Sequence, residues 1–150
     1  MGCEIGVSMI DYKDQSNFGL TELIRDCVAL LQGHTALVCQ VQLSPEILAT
    51  GGSDGRVITF DLSKYTVLHR IAAHDSSVTS LQFDHNFLVT GGNDGRTRIY
   101  ETATGNYIRD LTDPSETVWK VAYLKDTCAI MCKRAGRTIV EIWNMRPKDL

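Results

Sequence analysis

The chain has 150 residues, of which 43% are hydrophobic and 22% are charged, so it can bury a core of ordinary globular size. The net charge of −3 argues against a nucleic-acid partner, because such a partner selects a basic surface. No run of the sequence approaches the roughly 20 apolar residues that cross a bilayer, so no membrane partner is predicted.

The cysteines are an odd set of five without the spacing of a disulfide framework, and no secretory leader precedes them. They predict reduced thiols in an intracellular protein of the cytoplasm, the nucleus or both. Cys128 and Cys132 lack a histidine or second cysteine pair at ligand spacing, so neither a metal site nor a cofactor is predicted.

The N-terminal segment, residues 1–26, matches no later part of the chain. Leu20, Leu23 and Ile24 have helical spacing, which indicates a short helix about Thr21 to Arg25. Residues 27–32, in contrast, include a stretch that aligns with 67–71 further along the chain, and we predict a strand there.

An internal repeat of about 40 residues governs the rest of the chain. Residues 48–56 and 88–96 are identical at seven of nine positions. His34 and His74 keep the same interval, as do the aromatic residues Phe60 and Tyr100. Several markers that share one period exclude coincidence, and a weaker third copy follows them.

Each repeat has the pattern of antiparallel strands. Apolar and polar residues alternate over 37–43 and again over 79–83, which is the period of a strand with one better-buried face. Asp-Gly at 54–55 and 94–95 is a strong hairpin signal. The four strands predicted in each repeat make one blade of a β-propeller.

The predicted fold is therefore all-β: a partial β-propeller of about three four-stranded antiparallel blades. Residues 27–150 are predicted as repeats, with 27–32 the outer strand of a preceding blade and blades at 33–72, 73–112 and, in degenerate form, 113–146. Since propellers close with about 4–8 blades, the chain reads as a fragment of a larger propeller. Closure is expected to need the remainder of a propeller or self-association.

The motifs resemble those of WD-repeat proteins. Gly33-His34 stands near the start of a repeat, and Phe60-Asp61 and Trp143-Asn144 stand where Trp-Asp ends one. The resemblance implies a buried structural network in each blade, formed by His34, Thr50, Asp54, Phe60, His74, Thr90, Asp94 and Tyr100. In the third copy Met131 and Ala135 are expected where the network has Thr and Asp.

Thr, His and Asp together also suggest a hydrolase of the acyl-transfer class. Their repetition favours a structural role, because a repeated fold needs a repeated lock whereas one active site suffices. No nucleophile elbow is visible in the sequence. The chain is therefore predicted not to be an enzyme, and the hydrolase stays the alternative of another class.

Residues 31–38 and the ending with 118–121 and 136–143 resemble fungal F-box/WD-repeat proteins of the cell-division-control type. That family implies a substrate-recognition propeller of an SCF-type ubiquitin ligase, with other proteins, including phosphorylated substrates, as partners. No F-box is evident in this sequence. The alternative is a general WD-repeat scaffold in a signalling or RNA-processing complex.

Phosphate capture calls for arginines, whose planar fork suits bidentate contacts. In the family an Arg precedes the blade Asp, and here only Arg134 fits that slot; a solvated turn is the alternative reading. The candidate partner-binding rim comprises Thr35, Ser53, Asp75, Ser76, Asn93, Lys133, Arg134 and Arg137.

Overall fold

The computed structural model describes residues 5–7 and 25–146. These residues form thirteen strands and contain no helix that is long and apolar enough to cross a membrane. The strands are β1 (Ile5–Val7), β2 (Ala29–Leu31), β3 (Val38–Leu43), β4 (Ile47–Gly52), β5 (Arg56–Asp61), β6 (Thr66–Ala72), β7 (Val78–Phe83), β8 (Phe87–Gly92), β9 (Thr97–Glu101), β10 (Tyr107–Asp110), β11 (Thr117–Leu124), β12 (Thr127–Arg134) and β13 (Arg137–Asn144).

Three antiparallel sheets follow one another along the chain, each with its strands in sequence order. The first blade is β3-β4-β5-β6 and the second is β7-β8-β9-β10. The third blade is β11-β12-β13, so it has three strands where the repeat predicted four. A separate two-stranded sheet joins β1 to β2. Within the described residues, no sheet closes on itself.

Apolar side chains lie between each pair of neighbouring blades. We call the side of a blade toward the preceding blade its leading face, and the side toward the following blade its trailing face. Ala49 and Val57 on the first trailing face pack against Val78 and Leu81 on the second leading face. A matching cluster joins the second blade to Val118 and other residues of the third. The hydrophobic core therefore lies between the sheets.

Glycines set how closely the blades approach. A Cβ on Gly51 would lie 2.6 Å from Val78 Cγ1, and a Cβ on Gly91 would lie 2.6 Å from Val118 Cγ1. Such separations are well inside van der Waals contact. The two trailing faces therefore need glycine at this point, and the repeat supplies it twice.

A glutamine also joins each pair of blades. The Gln42 amide donates to the Phe83 carbonyl at 3.2 Å and accepts from the Phe83 N–H at 2.9 Å. One repeat later, Gln82 accepts from the Tyr123 N–H at 2.6 Å. These bonds fix how far each blade can slide past the next one.

The third blade differs from the predicted alignment. Val121 pairs with Ile130 as Val41 pairs with Thr50, so Ile130 stands at the network position for which Met131 was predicted, and that prediction is wrong. Ala135 does lie at the following turn, with φ of 50°. The physical reason is a longer hairpin of β12 and β13, each of eight residues. The extra residues lie in the hairpin of β12 and β13, whereas the hairpin of β11 and β12 keeps the spacing of the other two blades.

At the N-terminus, the predicted helix about Thr21 to Arg25 lies outside the described residues except for Arg25, which has no regular structure. The predicted strand at 27–32 is represented by β2, which pairs antiparallel with β1 from the segment expected to be non-repeat. Leu31 of β2 packs against Leu48, Ile58 and Phe60 on the first leading face.

Candidate functional site

The first two blades each contain a hydrogen-bonded set that we call a clasp, formed by His34, Asp54 and Thr50 in the first blade. His34 Nδ1 lies 3.2 Å from Asp54 Oδ1, and His34 Nε2 lies 2.8 Å from Thr50 Oγ1. His34 comes from the loop that enters the blade, whereas Thr50 and Asp54 come from β4 and the turn after it. The clasp therefore ties that loop to the middle of the sheet.

Backbone amides complete the coordination of Asp54. The Thr35 N–H donates to Oδ2 at 3.0 Å and the Arg56 N–H donates to Oδ1 at 3.1 Å. Partial burial acts to raise the pKa of Asp54, but these two amides and His34 outweigh it and hold the pKa below its ordinary value. The Asp54 carboxylate therefore orders both the loop before β3 and the turn between β4 and β5, because it accepts hydrogen bonds from each.

The second clasp repeats this geometry with His74, Asp94 and Thr90. His74 Nδ1 lies 2.9 Å from Asp94 Oδ1, and His74 Nε2 lies 2.9 Å from Thr90 Oγ1. Burial lowers the pKa of His74 against the opposing pull of Asp94, so the ring is neutral at pH 7. Because a carboxylate only accepts, Nδ1 carries the hydrogen and Nε2 accepts from the Thr90 hydroxyl.

This protonation state predicts a stability that depends on pH. A depressed folded-state pKa means that the unfolded chain binds more protons as the pH falls below the ordinary histidine value of about 6.5. We expect the urea midpoint of unfolding to decrease from pH 7.5 to pH 5.5, with a smaller decrease over that window for His74→Asn. An unchanged slope in that variant would contradict the assignment to His74.

The network aromatics do not close the clasps as an indole N–H would. Phe60 is buried among Leu31, Leu48 and Ile58 and makes only apolar contacts. Tyr100 donates from its hydroxyl to the Ala73 carbonyl at 3.3 Å, so it bonds the loop before His74 rather than Thr90. The eight predicted network residues therefore divide into six that form the clasps and two that pack beside them.

The predicted rim residues lie at the ends of the blades that carry the clasps. Thr35 and Asp75 are exposed, yet their backbone N–H groups donate to Asp54 and Asp94. Ser76 follows Asp75 and is half-buried. The clasps therefore fix the backbone of this rim, and the Thr35 hydroxyl also donates to Asp54 Oδ2 at 3.4 Å.

Hydrogen bonds also join the rim from blade to blade. The Ser77 hydroxyl donates to the Ser53 carbonyl at 3.5 Å, at the boundary of the first two blades. The Thr117 hydroxyl donates to Asn93 Oδ1 at 2.8 Å, at the boundary of the second and third. Ser53 and Asn93 thus occupy equivalent turns, and the rim is continuous across all three blades.

The basic residues of the third blade are mostly engaged. Lys133 lies 3.4 Å from Glu116, and Arg134 lies 2.9 Å from Glu141 while also donating to the carbonyls of residues 113 and 114. Arg137 is exposed and forms no side-chain hydrogen bond or ion pair with any residue that the structure describes. The cation available to a ligand is therefore Arg137 rather than Arg134.

Sequence reasoning did not single out Glu116 and Glu141. Glu116 pairs with Lys133 and accepts from the Gly136 N–H at 2.7 Å. Strand alternation carried a signal for Glu141, because Arg134 pairs with Arg137 across a two-residue turn and residues 137, 139 and 141 share one face. Within residues 25–146, no group of three or more His, Cys, Asp or Glu side chains is arranged to hold a metal ion.

A comparison with protein families matches residues 25–61 and 65–101 to the family described as "WD domain, G-beta repeat". The chain contains WD40 repeats. Over 52 residues it is 40% identical to the F-box/WD repeat-containing protein sel-10 of Caenorhabditis elegans, a match that spans 35% of this chain and 9% of that protein. The fungal cell-division-control subtype is not confirmed, since the matching relative is a nematode protein.

Two solved structures of similar shape agree with the fold. The computationally designed Ika4 protein superposes with a TM-score of 0.73 at 24% identity, over 81% of this chain and 74% of that one. The designed Ika8 protein superposes with a TM-score of 0.68 at 25% identity, over 75% of this chain and 35% of that one. The predicted all-β partial propeller is confirmed.

Proposed function

We propose that this chain is a non-catalytic protein-binding platform and forms part of the substrate-recognition propeller of an SCF-type ubiquitin ligase. The observation that carries the proposal is the rim, where the exposed residues Thr35 and Asp75 stand on a backbone held by buried clasps. A rigid frame with solvent-facing polar side chains suits recognition, because little conformational freedom is lost when a partner binds. The proposed location is the cytoplasm, the nucleus or both.

Burial of the clasps supports the non-catalytic part of the proposal. The Thr50 and Thr90 side chains have no solvent-exposed area, and His34 and His74 are about 5–6% exposed. A nucleophile has to reach a substrate atom, and neither hydroxyl is accessible to one. The same three residue types therefore serve as hydrogen-bonded cross-links in two consecutive blades.

The similarity to an F-box/WD repeat protein supports the ligase part of the proposal. It spans 35% of this chain and 9% of that protein, so docking to the rest of a ligase would depend on a segment outside the matched region. A general WD-repeat scaffold is what remains if the ligase assignment fails. In both cases the rim is the surface that a protein partner contacts.

Phosphorylated substrates are the proposed ligand class, and Arg137 is the cation that tests it. We expect Arg137→Ala to weaken binding of a fluorescent phosphothreonine peptide about tenfold, equivalent to about 1.4 kcal/mol, because a charge-assisted hydrogen bond is lost. Fluorescence anisotropy with a library of phosphopeptides measures this on the full chain.

Two comparisons make that result specific. The unphosphorylated peptides should bind the parent chain and Arg137→Ala equally weakly. Arg109→Ala, which removes another exposed cation from β10, should leave phosphopeptide affinity unchanged. If no phosphopeptide binds better than its unphosphorylated form, phosphate recognition by this chain is excluded and the general scaffold is favoured.

A further inference from the structure

The blades have unequal numbers of strands. The first and second contain four, whereas the third contains three, and the outer edge of β13 pairs with no strand among the described residues. An unpaired edge presents a row of free N–H and C=O groups to any extended segment. The third blade therefore lacks the strand that β6 and β10 provide in the other two.

The chain also contains one such strand in excess. Leu31 of β2, Ile71 of β6 and Leu111, which directly follows β10, lie one repeat apart, and each is buried against the leading face of the blade that follows it. β2 is thus equivalent to a fourth strand, although among the described residues its only strand partner is the three-residue β1. One missing outer strand and one surplus outer strand lie at opposite ends of the same arc.

The two end faces of the arc are apolar and exposed. On the first leading face, Val41 is 59% exposed and Leu43 is 65% exposed. On the third trailing face, Val140 is 64% exposed and Ile142 is 68% exposed. Equivalent positions at the two internal boundaries are buried between blades, so each end of the arc continues an interface that the chain already makes twice.

We infer that the occupant of both ends is a second copy of this chain, bound head to tail. In the pair, β2 of each copy adds to the edge of β13 in the other copy. Its pairing strand is then the eight-residue β13 in place of the three-residue β1. Two copies supply six blades, within the range of about 4–8 at which propellers close. Among the described residues each copy offers one surplus strand and one open edge, so each copy can pair with the other at both ends.

The contact between copies differs from the internal contacts in one respect. The third trailing face has Met131 at the position of Gly51 and Gly91, and Ala122 at the position of Gln42 and Gln82. The Met131 side chain keeps the blades further apart, and Ala122 makes no amide bond to the next backbone. The pair is therefore held less tightly than the blades within one copy.

The molecular mass in solution tests this inference without any binding partner, so the result does not depend on whether the proposed function is correct. In sedimentation equilibrium the full chain should give twice the 16.7 kDa of one copy. Val140→Asp with Ile142→Asp should raise the dissociation constant at least about tenfold, because each carboxylate would be buried without a partner. Both residues are exposed in a single copy, so circular dichroism should show an intact fold.

The control places the same chemistry elsewhere. Leu68→Asp changes an exposed apolar residue of β6, away from both end faces, and should leave the dissociation constant unchanged. In the opposite direction, Ala122→Gln with Met131→Gly restores the two features of the internal contacts and should lower the dissociation constant severalfold. No change in this double variant would show that the third trailing face does not receive a blade.

A disulfide tests the strand pairing itself. If β2 pairs with β13 as β6 pairs with β5, Ala29 lies opposite Ile142, as His69 lies opposite Thr59. Oxidation of Ala29→Cys with Ile142→Cys should give a covalent dimer on a non-reducing gel, whereas either single variant, which shares the natural exposed Cys27 and Cys39, should not. A monomeric mass, open-ended oligomers or the absence of this cross-link would overturn the inference.

Discussion

Replacing Asp94 with alanine should lower the free energy of unfolding by about 3 kcal/mol, because three donors lose their acceptor inside a largely buried site. These donors are the His74 ring and the backbone N–H groups of Asp75 and Arg96, at 2.9–3.1 Å from the carboxylate. Urea denaturation at pH 7.5, followed by tryptophan fluorescence and circular dichroism, measures the loss.

The neighbouring carboxylate is the matched control. Asp75 is exposed, and Asp75→Ala should change stability by less than about 0.5 kcal/mol, as is usual for surface positions. His74→Ala combined with Asp94→Ala should cost less than the sum of the two single changes, because both remove the same interaction. Additive losses would mean that the two residues stabilise the blade independently and that the clasp is not a unit.

Replacing Gly95 with alanine should cost about 3 kcal/mol or more, because the new Cβ has no space. Gly95 has φ of 82°, and a Cβ there would overlap the carbonyl oxygen of Ser115, whose position is fixed by the bond from its own N–H to the Gly95 carbonyl. Relief requires moving the loop that enters the third blade. Thermal and urea unfolding of Gly95→Ala should both show the loss.

Gly136 separates the steric effect from the effect of the backbone angle. It has a similar φ of 73°, but a Cβ at Gly136 meets nothing within 4 Å. Gly136→Ala should therefore cost only about 1 kcal/mol, the penalty of a left-handed conformation for a residue with a side chain. Equal losses at the two positions would show that the close approach of the blades at Gly95 contributes nothing to stability.

The parts of the fold that repetition encodes were predictable from the sequence. His34 with Asp54 and His74 with Asp94 were paired correctly because the same residue types recur at one interval, which alignment detects without coordinates. The paired Asp-Gly turns placed the hairpins for the same reason.

The features that the sequence did not predict lie mainly where the chain departs from its repeat of about 40 residues. The third hairpin is longer, so aligning its Gly136-Arg137 with Gly95-Arg96 placed Met131 where Ile130 stands, and only strand register resolves such a shift. The interaction of Tyr100 with Ala73 was also beyond the sequence, since a phenol hydroxyl has many acceptors within reach. Likewise, Arg134 stands at the sequence position of a phosphate-binding arginine. Its guanidinium is paired with Glu141, because the neighbouring strand brings that carboxylate within 2.9 Å.

The clasps have a consequence for how this protein can change over evolutionary time. Asp54 and Asp94 hold their loops through the backbone amides of Thr35 and Asp75, and an amide is the same whatever side chain it carries. Mutations that alter Thr35 or Asp75 therefore leave the loop conformation in place. Selection for a new ligand can therefore change the side chains at these positions with little loss of foldability. The fold and the binding specificity can evolve separately.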